Sequence, residues 1–160
     1  METVKHGFPP YYDSNSKILI LGTMPSIKSR EIGFYYCHPQ NRFWCVLAYL
    51  YHEEIPSTIK DKKILLKKYH IALWDVLASC TIEGSSDQSI RNPICNDLSI
   101  ILNHSSIKKI YTTGQKAYDL YQKYCYPKTK IEAILLPSTS PANAAYSFDK
   151  LVNAYAQIME

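Results

Sequence analysis

The sequence contains no apolar run long enough to cross a bilayer, and Met1 to Pro10 hold no hydrophobic stretch of the kind a secretory leader needs. A cytoplasmic chain without a membrane partner is the expectation. No CxxC pair occurs either, for the five cysteines (Cys37, Cys45, Cys80, Cys95 and Cys125) are scattered. Zinc ribbons and most iron–sulfur sites use closer pairs, so no metal is expected and reduced thiols serving as core filler are the simplest account. GxGxxG and GxxxxGK(S/T) are both missing, which argues against dinucleotide and nucleoside-triphosphate binding. Repeats, low-complexity tracts and linkers are absent too, so residues 1–160 read as one domain, long enough to bury a real core. Charge of one sign is scarce: 18 Lys and Arg oppose 14 Asp and Glu, a net +4 that supports a polyanionic partner only weakly.

Short apolar runs alternating with amphipathic stretches are what the chain does have. Residues 1–16 lack periodicity and read as an irregular arm, with Phe8 to Tyr12 lying over the core. Lys17–Gly22, Ile71–Leu77, Ile107–Thr112 and Ile131–Leu136 read as strands. Between them, helices are expected over Asn41–His52, after a cap at Ser57 or Thr58, over Asp97–His104, over Gly114–Tyr124, and from about Ser147 onward. Such alternation predicts right-handed βαβ units, hence an α/β fold: a three-layer α/β/α sandwich on a four-stranded parallel sheet. Loops following the first, second and fourth strands then share one edge of the sheet, where open α/β sheets place their ligands.

The first of these loops organises the chain. After Ile18-Leu19-Ile20-Leu21 come Gly22-Thr23-Met24-Pro25-Ser26, the aromatic cluster Phe34-Tyr35-Tyr36, and His38-Pro39-Gln40-Asn41-Arg42-Phe43-Trp44. Flat rings, small hydroxyls, an amide and an imidazole suit a nucleobase with its sugar-phosphate. Each residue also has a plainer use. The glycine turn is an ordinary strand end or a phosphate cradle. Asn41 is a helix N-cap or a catalytic amide, and Arg42 a surface ion-pair partner or a phosphate ligand. Asp75 interrupts an apolar strand and must be paired or face a cleft, because an unpaired buried carboxylate is costly. Pro137-Ser138-Thr139-Ser140-Pro141-Ala142-Asn143 is stiff and rich in hydroxyls, as a polar turn or a DNA-contacting loop would be.

In their order along the chain, GTMPS, GFYYCHPQNRFW, ALWDVLASC with its GSSD loop, and LPSTSPANA resemble the uracil-DNA glycosylase superfamily, most closely its DNA-deoxyinosine (hypoxanthine-DNA) glycosylase branch. The resemblance covers nearly the whole chain. It implies a four-stranded parallel sheet with helices on both faces, no metal cofactor, and a role in base excision repair. The implied reaction is hydrolysis of the N-glycosidic bond of a deaminated base, hypoxanthine favoured and uracil possible, flipped out of DNA. It further implies Asn41 as the water-positioning amide with His38 assisting. Gly22, Thr23, Met24, Tyr36 and Asp75 would surround the base, while Ser26, Arg42, Ser138, Thr139, Ser140 and Asn143 would meet the DNA. Three places depart from the family. Met24 stands where uracil enzymes carry Asp or Asn, Leu136 where several relatives carry His, and Pro141-Ala142-Asn143 where a wedge leucine is found. No lysine stands in a matching Schiff-base motif, so no lyase step is expected. The rival expectations are a non-catalytic damaged-DNA-binding module on the same fold and a small-molecule nucleoside hydrolase.

Overall fold

In the computed structural model, which describes residues 2–160, the presumed irregular arm begins with a strand, β1 (Glu2–Lys5). Its partner is another element that the sequence disguised. The run from Ile71 forms β3 (Ile71–Asp75) after β2 (Ile18–Gly22), then bends at Val76 and continues as β4 (Leu77–Ile82), where a polar loop was expected. β4 pairs antiparallel with β1 and with β5 (Arg91–Cys95), giving a three-stranded sheet in the order β1-β4-β5. Ser79 and Thr81 are half-buried while Cys80 and Ile82 point into the core, the one-sided burial usual for antiparallel strands.

The parallel sheet is as expected. With β6 (Lys109–Thr113) and β7 (Ala133–Leu136), its order is β3-β2-β6-β7 and every pairing is parallel. All five residues of β2 are buried, which explains why it is a continuous apolar run rather than an alternating one. Tyr11 exchanges two 2.9 Å backbone hydrogen bonds with Leu73, so the arm covers the free edge of β3.

Helices complete the α/β/α sandwich: α1 (Ile27–Ile32), α2 (Phe43–Tyr51), α3 (Ile59–Lys68), α4 (Ser99–Leu102), α5 (Gln115–Leu120), α6 (Tyr126–Thr129) and α7 (Phe148–Tyr155). Thr58 caps α3 through its hydroxyl, and Ser147 does the same for α7. A π-turn over Tyr121–Cys125 joins α5 to α6. Helix α1 was not expected; Ser26 caps its start and Gly33, at φ +87°, ends it. Among the described residues no helix is long and apolar enough to cross a membrane, and all five cysteines are free.

Candidate active site

The carboxyl ends of all four parallel strands open into one cleft of about 1250 Å³. Gly22 is its floor. A β-carbon at this position would overlap Asp75 Oδ1 and lie 3.3 Å from the Tyr36 hydroxyl and 3.5 Å from Thr113 Oγ1. Three polar atoms from three other segments therefore close around one hydrogen-sized gap. Asp75, register partner of Gly22, is 4% exposed, and its Oδ2 accepts from His6 Nε2 at 2.7 Å. The backbone beneath it is stapled by Asn96, whose amide donates to the carbonyls of Asp75 (2.9 Å) and Leu77 (3.1 Å).

Tyr36 adopts φ +54°, a left-handed conformation that costs a non-glycine residue about 1–3 kcal/mol and is commonest at functional sites. The turn lays its ring on Phe43, with centroids 4.0 Å apart and planes 18° from parallel, and brings its hydroxyl within 3.4 Å of Thr113 Oγ1. Burial first, then the Asp75 charge, pushes the Tyr36 phenol well above its ordinary range, so it stays a neutral donor. The ring behind Tyr36 is thus Phe43. Phe34 and Tyr35, 5% and 2% exposed, belong to the core, where Tyr35 donates to the Pro9 carbonyl at 2.8 Å.

Asn41 stands one residue before Arg42, the N-cap of α2. Its Oδ1 accepts from the Phe43 backbone N–H at 2.9 Å, which fixes the side chain at the mouth of α2 and at the cleft wall. A carbonyl oxygen has two lone pairs, so one remains for a further donor. His38 lines the same wall; its Nδ1 accepts from the Gln40 N–H at 3.1 Å, which places the proton of the neutral ring on Nε2. Thr23, Met24 and Ser26 also line the cleft; the Ser26 hydroxyl accepts from Ser29 N–H at the start of α1 and donates to Ser29 Oγ at 3.2 Å.

The loop after β7 is braced from within. Ser138 Oγ accepts from Ser140 N–H (3.1 Å), Ser140 Oγ from Ala142 N–H (3.2 Å), and the Asn143 amide donates to the Ser138 carbonyl (2.9 Å). Thr139 and Arg42, both expected to meet DNA, have their polar atoms turned toward the protein. Thr139 is 1% exposed, and its buried hydroxyl has no hydrogen-bond partner among the described residues. Arg42 points its guanidinium at the carbonyls of Asn143 and Tyr146, anchoring the loop rather than reaching outward.

Three contributors lacked a readable signal: Thr113 and Lys116, which line the cleft, and His6, which reaches it through Asp75; Asp87, also in the lining, closes the GSSD stretch of the resemblance. Asp87 has an exposed side chain at the cleft rim. Crowding by surrounding protein, then the Asp75 charge, raises its carboxyl pKa above the usual range, although nearby Lys116 and a hydrogen bond from Thr23 oppose the shift. Among the described residues, no three His, Cys, Asp or Glu side chains gather as a cation site.

The chain that forms this cleft is similar to known proteins in sequence and in fold. Residues 9–159 match the family model described as the uracil DNA glycosylase superfamily. A protein of Methanosarcina acetivorans named hypoxanthine DNA glycosylase is 35% identical over 148 residues, spanning 90% of this chain and 91% of its own. One of the same name from Methanosarcina barkeri is 35% identical over 143 residues, with 87% and 88% covered. An NMR solution structure of a candidate uracil DNA glycosylase from Methanosarcina acetivorans superposes with a TM-score of 0.80 at 31% identity, covering 98% of this chain and 99% of that one. The chain belongs to the uracil DNA glycosylase superfamily.

Proposed function

We propose that the protein is a monofunctional DNA glycosylase that removes hypoxanthine from DNA, with uracil as a secondary substrate, as a step of base excision repair. The relatives named hypoxanthine DNA glycosylase support the substrate. The observation that carries the reading in this chain is Asp75 Oδ1, an acceptor held against Gly22 at the cleft floor.

The target base is flipped into the cleft and stacks on Tyr36, a contact worth about 1–3 kcal/mol. Hypoxanthine offers an N1–H beside O6, and Asp75 Oδ1 accepts from that N1–H. Adenine has a bare N1 at the same place and meets a repelling lone pair. Uracil, whose N3–H is also a donor, satisfies the same oxygen, but its single ring covers less of Tyr36. The Asn41 amide uses its remaining lone pair to hold water under C1′ while the sugar develops oxocarbenium character. Its contribution is orientation, because an amide is a feeble base. Backbone N–H groups of Gly22 to Met24 stabilise charge on the departing base, with His38 Nε2–H as a further donor. Ser138 and Ser140 accept backbone N–H groups and retain their own hydroxyl protons for phosphates, whereas Ser26, whose hydroxyl donates to Ser29 Oγ at 3.2 Å, meets a phosphate by turning that proton outward. Asn143 and Arg42 act on DNA through the loop they brace.

The test incubates excess protein with labelled duplexes bearing one hypoxanthine, one uracil or no lesion, followed by alkali. Fastest breakage at hypoxanthine is expected, with no adduct trapped by borohydride despite Lys116 in the cleft wall. Breakage led by uracil overturns the substrate assignment, and lesion binding without breakage makes the protein a damage-binding module.

A further inference from the structure

The base-reading carboxylate is not free to choose its orientation. His6 is 5% exposed, and the ring of this first residue after β1 is packed 4.5 Å from Phe8 and 5.8 Å from Tyr35, centroid to centroid. Its backbone N–H donates to the Ala78 carbonyl at 2.8 Å, which ties it to β4. Nε2 meets Asp75 Oδ2 at 2.7 Å, while buried Nδ1 has no partner among the described residues. Asp75 is therefore the ring's one polar contact there.

We infer that His6 is a positioning residue that sets base specificity: by donating Nε2–H to Oδ2 it satisfies the rear oxygen of Asp75 and holds Oδ1 toward Gly22 as an acceptor for a lactam N–H. The inference rests on the reading of Asp75 as the base reader. A carboxylate can rotate about its last bond and exchange its oxygens. The bond to His6 fixes both the plane and the oxygen that faces the cleft, and the overlap waiting at Gly22 shows how little room Oδ1 has to turn. A residue far from the reacting sugar then governs which base is accepted, without touching substrate.

The experiment compares single-turnover release of hypoxanthine with that of unsubstituted purine, whose N1 carries no hydrogen, from otherwise identical duplexes. The wild-type protein should favour hypoxanthine, and Asp75→Ala should lower the ratio about tenfold or more, as loss of a charged hydrogen bond does. His6→Phe keeps a ring against Phe8 and Tyr35 but has no donor, and should lower the ratio similarly. His6→Gln, which again presents an N–H, should recover most of it. In an Asp75→Ala background His6→Phe should leave the ratio unchanged. A merely structural histidine would slow both substrates alike and leave the ratio at the wild-type value. That result with His6→Phe or His6→Ala, alongside a collapsed ratio in Asp75→Ala, refutes the inference and leaves Asp75 as reader. An unchanged ratio in Asp75→Ala removes the base-reading role itself.

Discussion

Adding one methyl group at the cleft floor should disable the site, and the structure sets the size of the effect. In Gly22→Ala the new β-carbon overlaps Asp75 Oδ1, with the Tyr36 hydroxyl 3.3 Å and Thr113 Oγ1 3.5 Å away. Asp75 cannot yield freely, since its other oxygen is bonded to His6 at 2.7 Å. Breaking that bond, which ends on a carboxylate, costs about 1.5–3 kcal/mol. Separating β2 from β3 instead is an overpacking cost of about 1–3 kcal/mol. Either route points to a loss near 2 kcal/mol in urea unfolding, read at unchanged m. Single-turnover release of hypoxanthine, measured where both proteins are folded, should fall at least about tenfold, because every 1.4 kcal/mol of misplaced acceptor is a decade in rate. In an Asp75→Ala background the partner of the overlap is gone, and the stability cost of Gly22→Ala should drop below about 1 kcal/mol. Wild-type midpoint and rate in Gly22→Ala would refute the reasoning. So would a full cost that persists without Asp75.

Asn41→Ala should lose about 1 kcal/mol of stability with the Phe43 cap and about a hundredfold in base release, whereas Asn41→Asp keeps the capping oxygen and should melt like the wild type; full release by Asn41→Ala would end its catalytic assignment. Arg42→Met should weaken DNA binding by loosening the 141–146 loop while leaving the slope of log affinity against log salt unchanged; a slope reduced by about one would make Arg42 a phosphate ligand instead. For Asp87 the folded-state pKa is raised above that of an ordinary aspartate, so its stabilising protonated form is lost as pH rises through the folded value. Asp87→Asn should accordingly melt higher than the wild type at pH 7.5, with the difference closing near pH 3.5, and an equal or lower melting temperature at neutral pH would contradict the penalty that crowding and then the Asp75 charge place on the ionised carboxyl.

The parallel sheet was legible because both of its faces are covered: a buried strand must be apolar throughout, and Ile18-Leu19-Ile20-Leu21 can hardly be anything else. Asp75 was legible for the opposite reason, a charge inside such a run having to be explained. β4 and β5 gave no such signal. β4 is interrupted by register shifts around Ser79, and β5 contains Pro93 next to Asn92 at φ +53°, so each resembles a loop until its partner is known. Helix α1 did leave a trace, Ser26 followed by Gly33, but six residues are too few for periodicity to show.

What stayed hidden at the site shares one physical cause. His6 meets Asp75 across 69 positions and Tyr36 meets Thr113 across 77, and neither His6 nor Thr113 sits in a local pattern that would mark it. His6 gains its meaning only from β1, whose pairing with β4 brings the arm behind the carboxyl end of β3. The same bend at Val76 that ends the parallel sheet at Asp75 starts the antiparallel one. The base reader therefore stands at the junction of two sheets, its backbone fixed by the first and its side chain by the second. Weakening the β1–β4 pairing, for instance with Val4→Pro, should consequently lower the preference for hypoxanthine over purine more than it lowers the melting temperature set by the parallel core. Parallel losses in both, or an unchanged preference, would mean that the arm serves the fold alone.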